Sequence, residues 1–441
     1  MPKKRRNKRS PLQKLFPSVL PKALEPDCRR LYQLASKNSE RLWPQIQRAE
    51  NGKPDNSLVD QFFRLTHSGM QEAQIDIVNS LLDKHKHSDI KPAQLLAYRG
   101  VADAIAWQLL NNELAYAKRF FMAEVPPKPT ESNIQSVVSV VDNIHKAEPN
   151  SIALISDLTS FIQIGDVMHM RPNKGMSIYE VKEGSINKEI MELLNRESDS
   201  QGRHEVSSGE GRKYNSESFL RQLERARRQK NRMSSLHSTL LNDKGIDAAT
   251  GKRVQIFEPQ MQIDSWYTEL LEAYEACKSR GWGISVVQNC LYMGCYETGK
   301  FATPGQIAFE TWFSALGATQ SCPRTSLVDC MLDPLALPVY SIPIPDELKF
   351  DLLFGRKHIA LGLNVPELIK LCQQQGIQVE FASQKTTTQA LQQGTLLWKL
   401  DGRGIILSNG RSQGFLGEGF ILRVFFHGEK PIDALSAIAN C

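Results

Sequence analysis

At 441 residues, 41% of them hydrophobic and 23% charged, the chain is long enough for two or three domains and apolar enough to bury a sizeable core. No apolar run reaches the roughly 18 residues a membrane helix needs and no charged-then-apolar signal opens the chain, so a cytoplasmic protein with no membrane partner is expected. The net charge is +6, and Lys3, Lys4, Arg5, Arg6, Lys8 and Arg9 supply that much by themselves, leaving the remainder close to neutral.

Residues 1–12 read as a disordered basic arm, because like charges at that density repel one another and attract a polyanion; Lys3, Lys4, Arg5 and Arg6 are candidate nucleic-acid contacts. Residues 13–125 read as a helical N-terminal region. Helical apolar spacing runs from Cys28 to Arg48, Asn56 to His85 and Pro92 to Phe121, with a turn at Asn51-Gly52-Lys53-Pro54 and a stop at Pro126, Pro127 and Pro129. Ser132 to Lys146 is a further helix. From Ser151 the period changes to that of strands: Ile152 to Ile164, Asp166 to Met170 and Met176 to Glu183, with Pro172-Asn173-Lys174-Gly175 as a hairpin turn.

Arg196 to Tyr214 contains almost nothing apolar and reads as a mobile loop over 196–214. A basic helix over Ser216 to Leu241, a helix over Ile263 to Arg280 and a strand-like run from Ile284 to Tyr296 complete a domain at 126–330. Pro334 to Pro345 is a proline-punctuated connector. Residues 346–441 read as a separate α+β domain, with strands at Ile377 to Ala382, Leu396 to Leu400, Gly404 to Leu407 and Phe420 to Phe426. The eight cysteines show no C-x-x-C spacing, so they are expected as buried free thiols rather than zinc or redox ligands.

Among these elements, Asp166 and Glu180 stand out. They sit on the two strands of the expected hairpin, and in an extended chain Glu180 and Lys182 project together while Tyr179 and Val181 point the other way. Two carboxylates and an ammonium gathered in this way suit a Mg²⁺ ion and a water beside a phosphodiester. The bare spacing of an acid two places before a lysine is cheap: it recurs at Asp89-Lys91 and Glu347-Lys349, neither with a strand carrying an acid a hairpin away. The alternative for Glu180 and Lys182 is an ordinary salt bridge on a solvated sheet face. Gly294 to Lys300 matches phosphate-loop spacing, but Phe301 stands where the metal-binding hydroxyl belongs, so a strand end and turn is preferred there.

Gly165-Asp166, a hairpin, then Glu180-Val181-Lys182 resembles the PD-(D/E)XK nuclease superfamily over residues 130 to 300. The resemblance implies an α/β fold with a restriction-endonuclease-like core of helix, three strands, helix and strand. It assigns Asp166, Glu180 and the carbonyl of Val181 as ligands of Mg²⁺, which Mn²⁺ can replace, and Lys182 as the group that orients water or balances charge. A glutamine on the following helix is part of many members' sites; Gln222 is favoured over Gln229 because it lies nearer the strand. Gly165 stands where the family name puts proline, a variation expected to leave the turn intact. The first-helix acid has no clear counterpart, Glu131 lying before that helix and Asp142 within it; Asp157, on the preceding strand, is a further candidate acid or else a turn or hydrogen-bonded polar residue. Arg221, Arg225, Arg228 and Arg232 on the basic helix are expected to hold phosphates. The function expected is a metal-dependent nuclease, acting on DNA in defence against mobile elements or in DNA processing. RNA cleavage, or a catalytically inactive nucleic-acid or protein-binding module on the same fold, are the alternatives, and a protein partner is compatible with each.

Overall fold

Four consecutive apolar residues, Ile152-Ala153-Leu154-Ile155, are fully buried and form the strand around which the site-bearing part of the chain is organised. A strand covered on both faces reads as a continuous apolar run rather than an alternation. The structure, a computed structural model, describes residues 20–47, 55–82, 92–126, 132–172, 174–182, 217–256, 263–299, 301–408 and 413–440. The basic arm at 1–12, the loop at 196–214 and the candidate Glu131 lie outside the described residues. The fold is mixed α/β with small antiparallel sheets, divided into a first unit within residues 30–256 and a second formed by residues up to 29 with those from 257 onward.

The first unit holds most of α1 (Glu25–Ser36), then α2 (Ser39–Gln47), α3 (Asn56–Leu82), α4 (Pro92–Leu109) and α5 (Leu114–Phe120). Two of the helices read from apolar spacing are therefore each split in two. The breaks fall where Asn38, Asn111 and Asn112 take positive φ, a conformation asparagine tolerates better than most residues. Helix α6 (Ile134–Ala147) follows as expected. Strands β1 (Ile152–Ile155), β2 (Val167–Arg171) and β3 (Gly175–Tyr179) pair antiparallel in that order, with Ile155, Val167 and Tyr179 in one register row. The first strand is much shorter than the run to Ile164, because the chain leaves the sheet after Ile155 through a 3-10 turn at Ser156–Leu158. Below the sheet Trp107 of α4 packs on Phe161 with ring centroids 5.0 Å apart, both fully buried.

The outer edge of β1 is filled by side chains. Gln74 of α3 donates to the carbonyl of Ala153 at 3.1 Å and accepts from the Ile155 N–H at 2.7 Å, while His145 Nε2 of α6 accepts from the Ala153 N–H at 3.1 Å. A fourth strand expected to follow the second helix of the core has no backbone groups to pair with there. The run Ile284 to Tyr296 instead lies in the second unit. The chain of the first unit ends with α7 (Glu217–Asn242) and the hairpin β4 (Lys244–Ile246) and β5 (Arg253–Gln255), pinned to α5 by Arg119 and Asp247 at 2.6 Å.

The second unit contains α8 (Tyr267–Arg280), β6 (Trp282–Val287), β7 (Leu291–Glu297), α9 (Ala302–Ala315), β8 (Arg324–Ser326), α10 (Asp346–Leu353) and β9 (Lys357–Leu363). Ile284 to Tyr296 is thus two strands rather than one, turning through Gln288 and Asn289 at positive φ. The sheet order is β6-β7-β9-β8, so β9 is inserted between strands from before residue 330. Residues 346–441 are accordingly not a separate domain: their first strand is central to this sheet, and its buried faces show none of the alternation that marks a strand in sequence. The rest of the unit runs through α11 (Val365–Gln374), β10 (Gln378–Phe381), α12 (Gln384–Gln392), β11 (Lys399–Leu400), β12 (Arg403–Ser408), β13 (Gln413–Phe415), α13 (Gly419–Phe426) and α14 (Pro431–Ala439). Phe420 to Phe426 is therefore helical, not a strand; Phe420 and Val424, one turn apart, are both buried, and the Val424 carbonyl accepts from Trp266 Nε1 at 2.6 Å. The seven described cysteines are free and buried. Among the described residues no helix is long and apolar enough to cross a membrane.

Candidate active site

The register row Ile155, Val167 and Tyr179 sets where the acids fall. Asp166 immediately precedes this row on β2, Glu180 immediately follows it on β3, and Asp157 lies just past it on the 3-10 turn after β1, so three carboxylates approach one end of the sheet. Glu180, Val181 and Lys182 were expected within a strand; β3 in fact stops at Tyr179 and these residues are its extension beyond the ladder. Reciprocal bonds hold that extension. The Asp166 N–H donates to the Tyr179 carbonyl at 2.8 Å, the Val181 N–H donates to Asp166 Oδ2 at 2.6 Å, and the Ser156 N–H donates to the Asp166 carbonyl at 3.0 Å. The Val181 carbonyl accepts from Asn133 at 3.1 Å.

Gly165 takes φ +77, with space for a Cβ closed by Ile178. Proline, fixed near −65°, cannot stand at that position, so the turn before Asp166 is not the one the family name implies. The expectation that the turn is merely preserved is corrected by this angle.

Lys182 Nζ lies 2.6 Å from Glu180 Oε1 and donates to Gln229 Oε1 at 2.9 Å. The glutamine that reaches the lysine is therefore Gln229 of α7; Gln222, two turns earlier, is exposed and makes no such bond. The proximity of Gln222 to the strand along the chain was a poor guide, since the intervening segment is long enough to bring either helical level to the lysine. Asp142, the candidate on α6, is bonded by Gln71 of α3 at 3.1 Å instead of joining the acids.

The electrostatics are set first by burial of these carboxyls and second by their charges on one another. Burial pushes the Asp166 carboxyl up to about 7, the charges of Glu180 and Asp157 push it further in that direction, and the Val181 N–H and Lys182 oppose them. Burial raises Asp157 as well, against a hydrogen bond from Ser132 and the charge of Arg99. Behind it, Asp103 of α4 is fully enclosed and likewise pushed up to about 7 by burial, partly relieved by the Ser160 N–H that donates to it at 2.7 Å. Neither Asp103 nor Arg99 carried a motif in sequence, because their role comes from burial beneath the sheet.

No group of three or more His, Cys, Asp or Glu side chains among the described residues is gathered closely enough to cage a metal ion. Asp166 Oδ1 and Glu180 Oε2 nevertheless face no hydrogen-bond donor among the described residues, and a cation between them would offset the burial and mutual repulsion that raise Asp166. Oxygen donors from two carboxylates and a carbonyl fit Mg²⁺, which binds through one or two carboxylates and keeps several waters.

Beside the acids lies a cleft of about 330 Å³ lined by Glu124, Gln163, Gly165, Glu180, Arg225, Arg228, Gln229 and Arg232. Gln163, which no spacing singled out, is held in that lining by accepting from the Met122 N–H at 2.7 Å and donating to the Glu124 carbonyl at 2.7 Å. Of the four arginines expected on nucleic acid, Arg225, Arg228 and Arg232 line the cleft; Arg221 is exposed one turn before it. Lys3, Lys4, Arg5 and Arg6 lie outside the described residues. The phosphate-loop decoy runs along β7 and the turn after it. Comparison with known protein families, curated proteins and solved structures gives no match, so the resemblance rests on the motif residues.

Proposed function

We propose that the first unit is a Mg²⁺-dependent nuclease acting on DNA, with Asp166 and Glu180 as metal-binding carboxylates and Lys182 as their cationic partner, on a restriction-endonuclease-like core lacking the fourth strand. The observation that carries this reading is the meeting of Asp166, Glu180 and Lys182 at the open end of one hairpin, beside a cleft walled by arginines. Asp166, Glu180 and the Val181 carbonyl would hold Mg²⁺, or Mn²⁺ in its place. When bound, the ion supplies a water acidic enough to attack near neutral pH and a positive charge at the phosphoryl oxygens.

The chain's own residues do the rest. Lys182, held between Glu180 and Gln229, keeps its ammonium at the mouth of the acid pair, where it stabilises the charge that accumulates on phosphate oxygens in the transition state. Gln229 fixes the height of that ammonium against α7. Arg225 and Arg228 draw a phosphodiester into the cleft, and Gln163, tied to the backbone at Met122 and Glu124, gives it a fixed lining on the other side. A soluble protein working on DNA in the cytosol, in defence or DNA processing, accords with this chemistry.

Replacing Glu180 by Gln or Lys182 by Ala is expected to lower DNA cleavage by about 10²-fold or more while thermal melts and DNA affinity stay near those of the wild type. Cleavage by the Glu180→Gln protein at the wild-type rate, or by the wild type in excess EDTA, would end the proposal. The second reading, a binding module with a vestigial site, is favoured by the absence of a three-acid cage among the described residues. Salt-sensitive DNA binding without nicking in Mg²⁺ or Mn²⁺ would establish it. Matched DNA and RNA substrates decide the sugar, since contacts to the backbone do not.

A further inference from the structure

We infer that this site takes nucleic acid as a single strand, read through its backbone and not through its sequence. The inference rests on the nuclease reading for its cleavage but not for its binding. The acid pair is recessed: the Glu180 side chain is 13% exposed and that of Lys182 22%. Helix α7 stands over them through the Lys182–Gln229 hydrogen bond, so the approach runs along the cleft between the Gln163–Gly165 segment and the helix.

That cleft, at about 330 Å³, falls at the small end of the roughly 300–1,000 Å³ in which proteins enclose a drug-sized molecule. It has room for a nucleotide unit. A double helix holds its phosphates on a wide, stiff cylinder, whereas one flexible strand can fold its backbone into a recess of this size and bring a phosphate to Glu180.

The charge on the wall is arranged for a strand lying along α7. Arg225, Arg228 and Arg232 recur at helical spacing on one face and cover about 10 Å of axis. Arg232 is engaged at the rim by Glu124 at 3.3 Å, whereas Arg225 and Arg228 face no carboxylate among the described residues. Guanidinium groups that meet no carboxylate among the described residues, beside a recessed acid pair, suit successive phosphates of one strand. The cleft lining includes no aromatic side chain among the described residues, so base stacking does not select a sequence.

The test uses the full chain and short labelled oligonucleotides of one sequence: a DNA strand, its blunt duplex, and the matching RNA strand. Fluorescence anisotropy in EDTA is expected to show the single strands bound at least about tenfold more tightly than the duplex. In the Arg225→Ala/Arg228→Ala protein, the slope of log affinity against log salt for a single strand should fall by about 1.4, at roughly 0.7 per phosphate contact. Alanine on an exposed helical face leaves the fold intact, and a thermal melt checks this. In Mg²⁺, a duplex with a single-stranded tail should be cut in the tail and the blunt duplex spared. Equal affinity for duplex and strand, or an unchanged salt slope in the double variant, overturns the inference. Tight, arginine-dependent strand binding with no cleavage in any metal would discard the nuclease reading while sustaining this one, and duplex cleavage at the rate of the strand would do the opposite.

Discussion

Replacing Asp166 by Asn isolates the electrostatic cost of the acid cluster. Burial first, then the charge of Glu180, lifts this carboxyl from the ordinary 3.8 to about 7. In the unfolded chain it ionises at the lower value, so between the two the folded protein holds the extra proton and stability falls as pH rises. The penalty is absent below the lower value and complete above the upper one. At about 1.4 kcal/mol per pH unit the interval amounts to at most about 4 kcal/mol, and partial access of solvent to the carboxyl halves this to about 2 kcal/mol. Asparagine has the same shape and still accepts the Val181 N–H, so the substitution removes charge with little repacking. Urea unfolding at about pH 8 is expected to show the variant more stable than the wild type by about 2 kcal/mol, shrinking to about a third of that near pH 5. His145, held down to about 4 by burial, tilts both proteins' curves the opposite way, and Asp103 tilts both the same way, so the difference between the two proteins is the quantity to read. A difference independent of pH, or an Asn variant that is the less stable at pH 8, would refute the argument by showing that the wild-type carboxylate is ionised and satisfied.

Further outcomes are expected elsewhere in the first unit. Gly165→Ala meets both a positive φ and the Ile178 side chain, so the thermal midpoint should drop by an amount equivalent to about 2–3 kcal/mol; an unchanged melt would show that the turn is free to move. Gln229→Ala releases the Lys182 ammonium and should lower kcat about tenfold with KM little changed, while Gln222→Ala matches the wild type; the reverse ranking in steady-state cleavage rules out the pairing assigned here. Gln74→Ala strands the Ala153 carbonyl and the Ile155 N–H at a buried edge and should cost about 2–4 kcal/mol in chemical denaturation, whereas a loss below about 1 kcal/mol would mean that water replaces the amide. Millimolar Mg²⁺ should raise the wild-type melting temperature at pH 8 and leave that of Asp166→Asn unmoved; equal shifts would place the ion elsewhere.

What could be read from sequence was local. The hairpin and its two acids follow from alternating apolar residues around Pro172 to Gly175, and the ladder from Val167–Tyr179 to Arg171–Gly175 holds them as spaced. Distance along the chain failed at the next step. Gln222 and Gln229 differ by seven residues, nearly the same helical face, and only their separation of about 10 Å along the axis decides which meets Lys182. That height is set by tertiary packing. The same reason hid β9, whose residues are buried on both faces, and the plug at β1, whose Gln74 and His145 come from helices with no pattern pointing to a strand edge. Phe420 to Phe426 shows the converse, an apolar stretch too short for its period to separate helix from strand.

The plug on β1 also restricts what this small sheet can recruit. Exposed ladder groups are where polypeptides add to one another, in swapped dimers and in fibrils alike. With one border sealed by an amide and an imidazole, and β3 pairing with β2 alone among the described residues, any incoming strand must align on β3, whose continuation carries Glu180. A strand added there would run toward the carboxylates, so any self-association of this sheet would be felt first at the end that carries them.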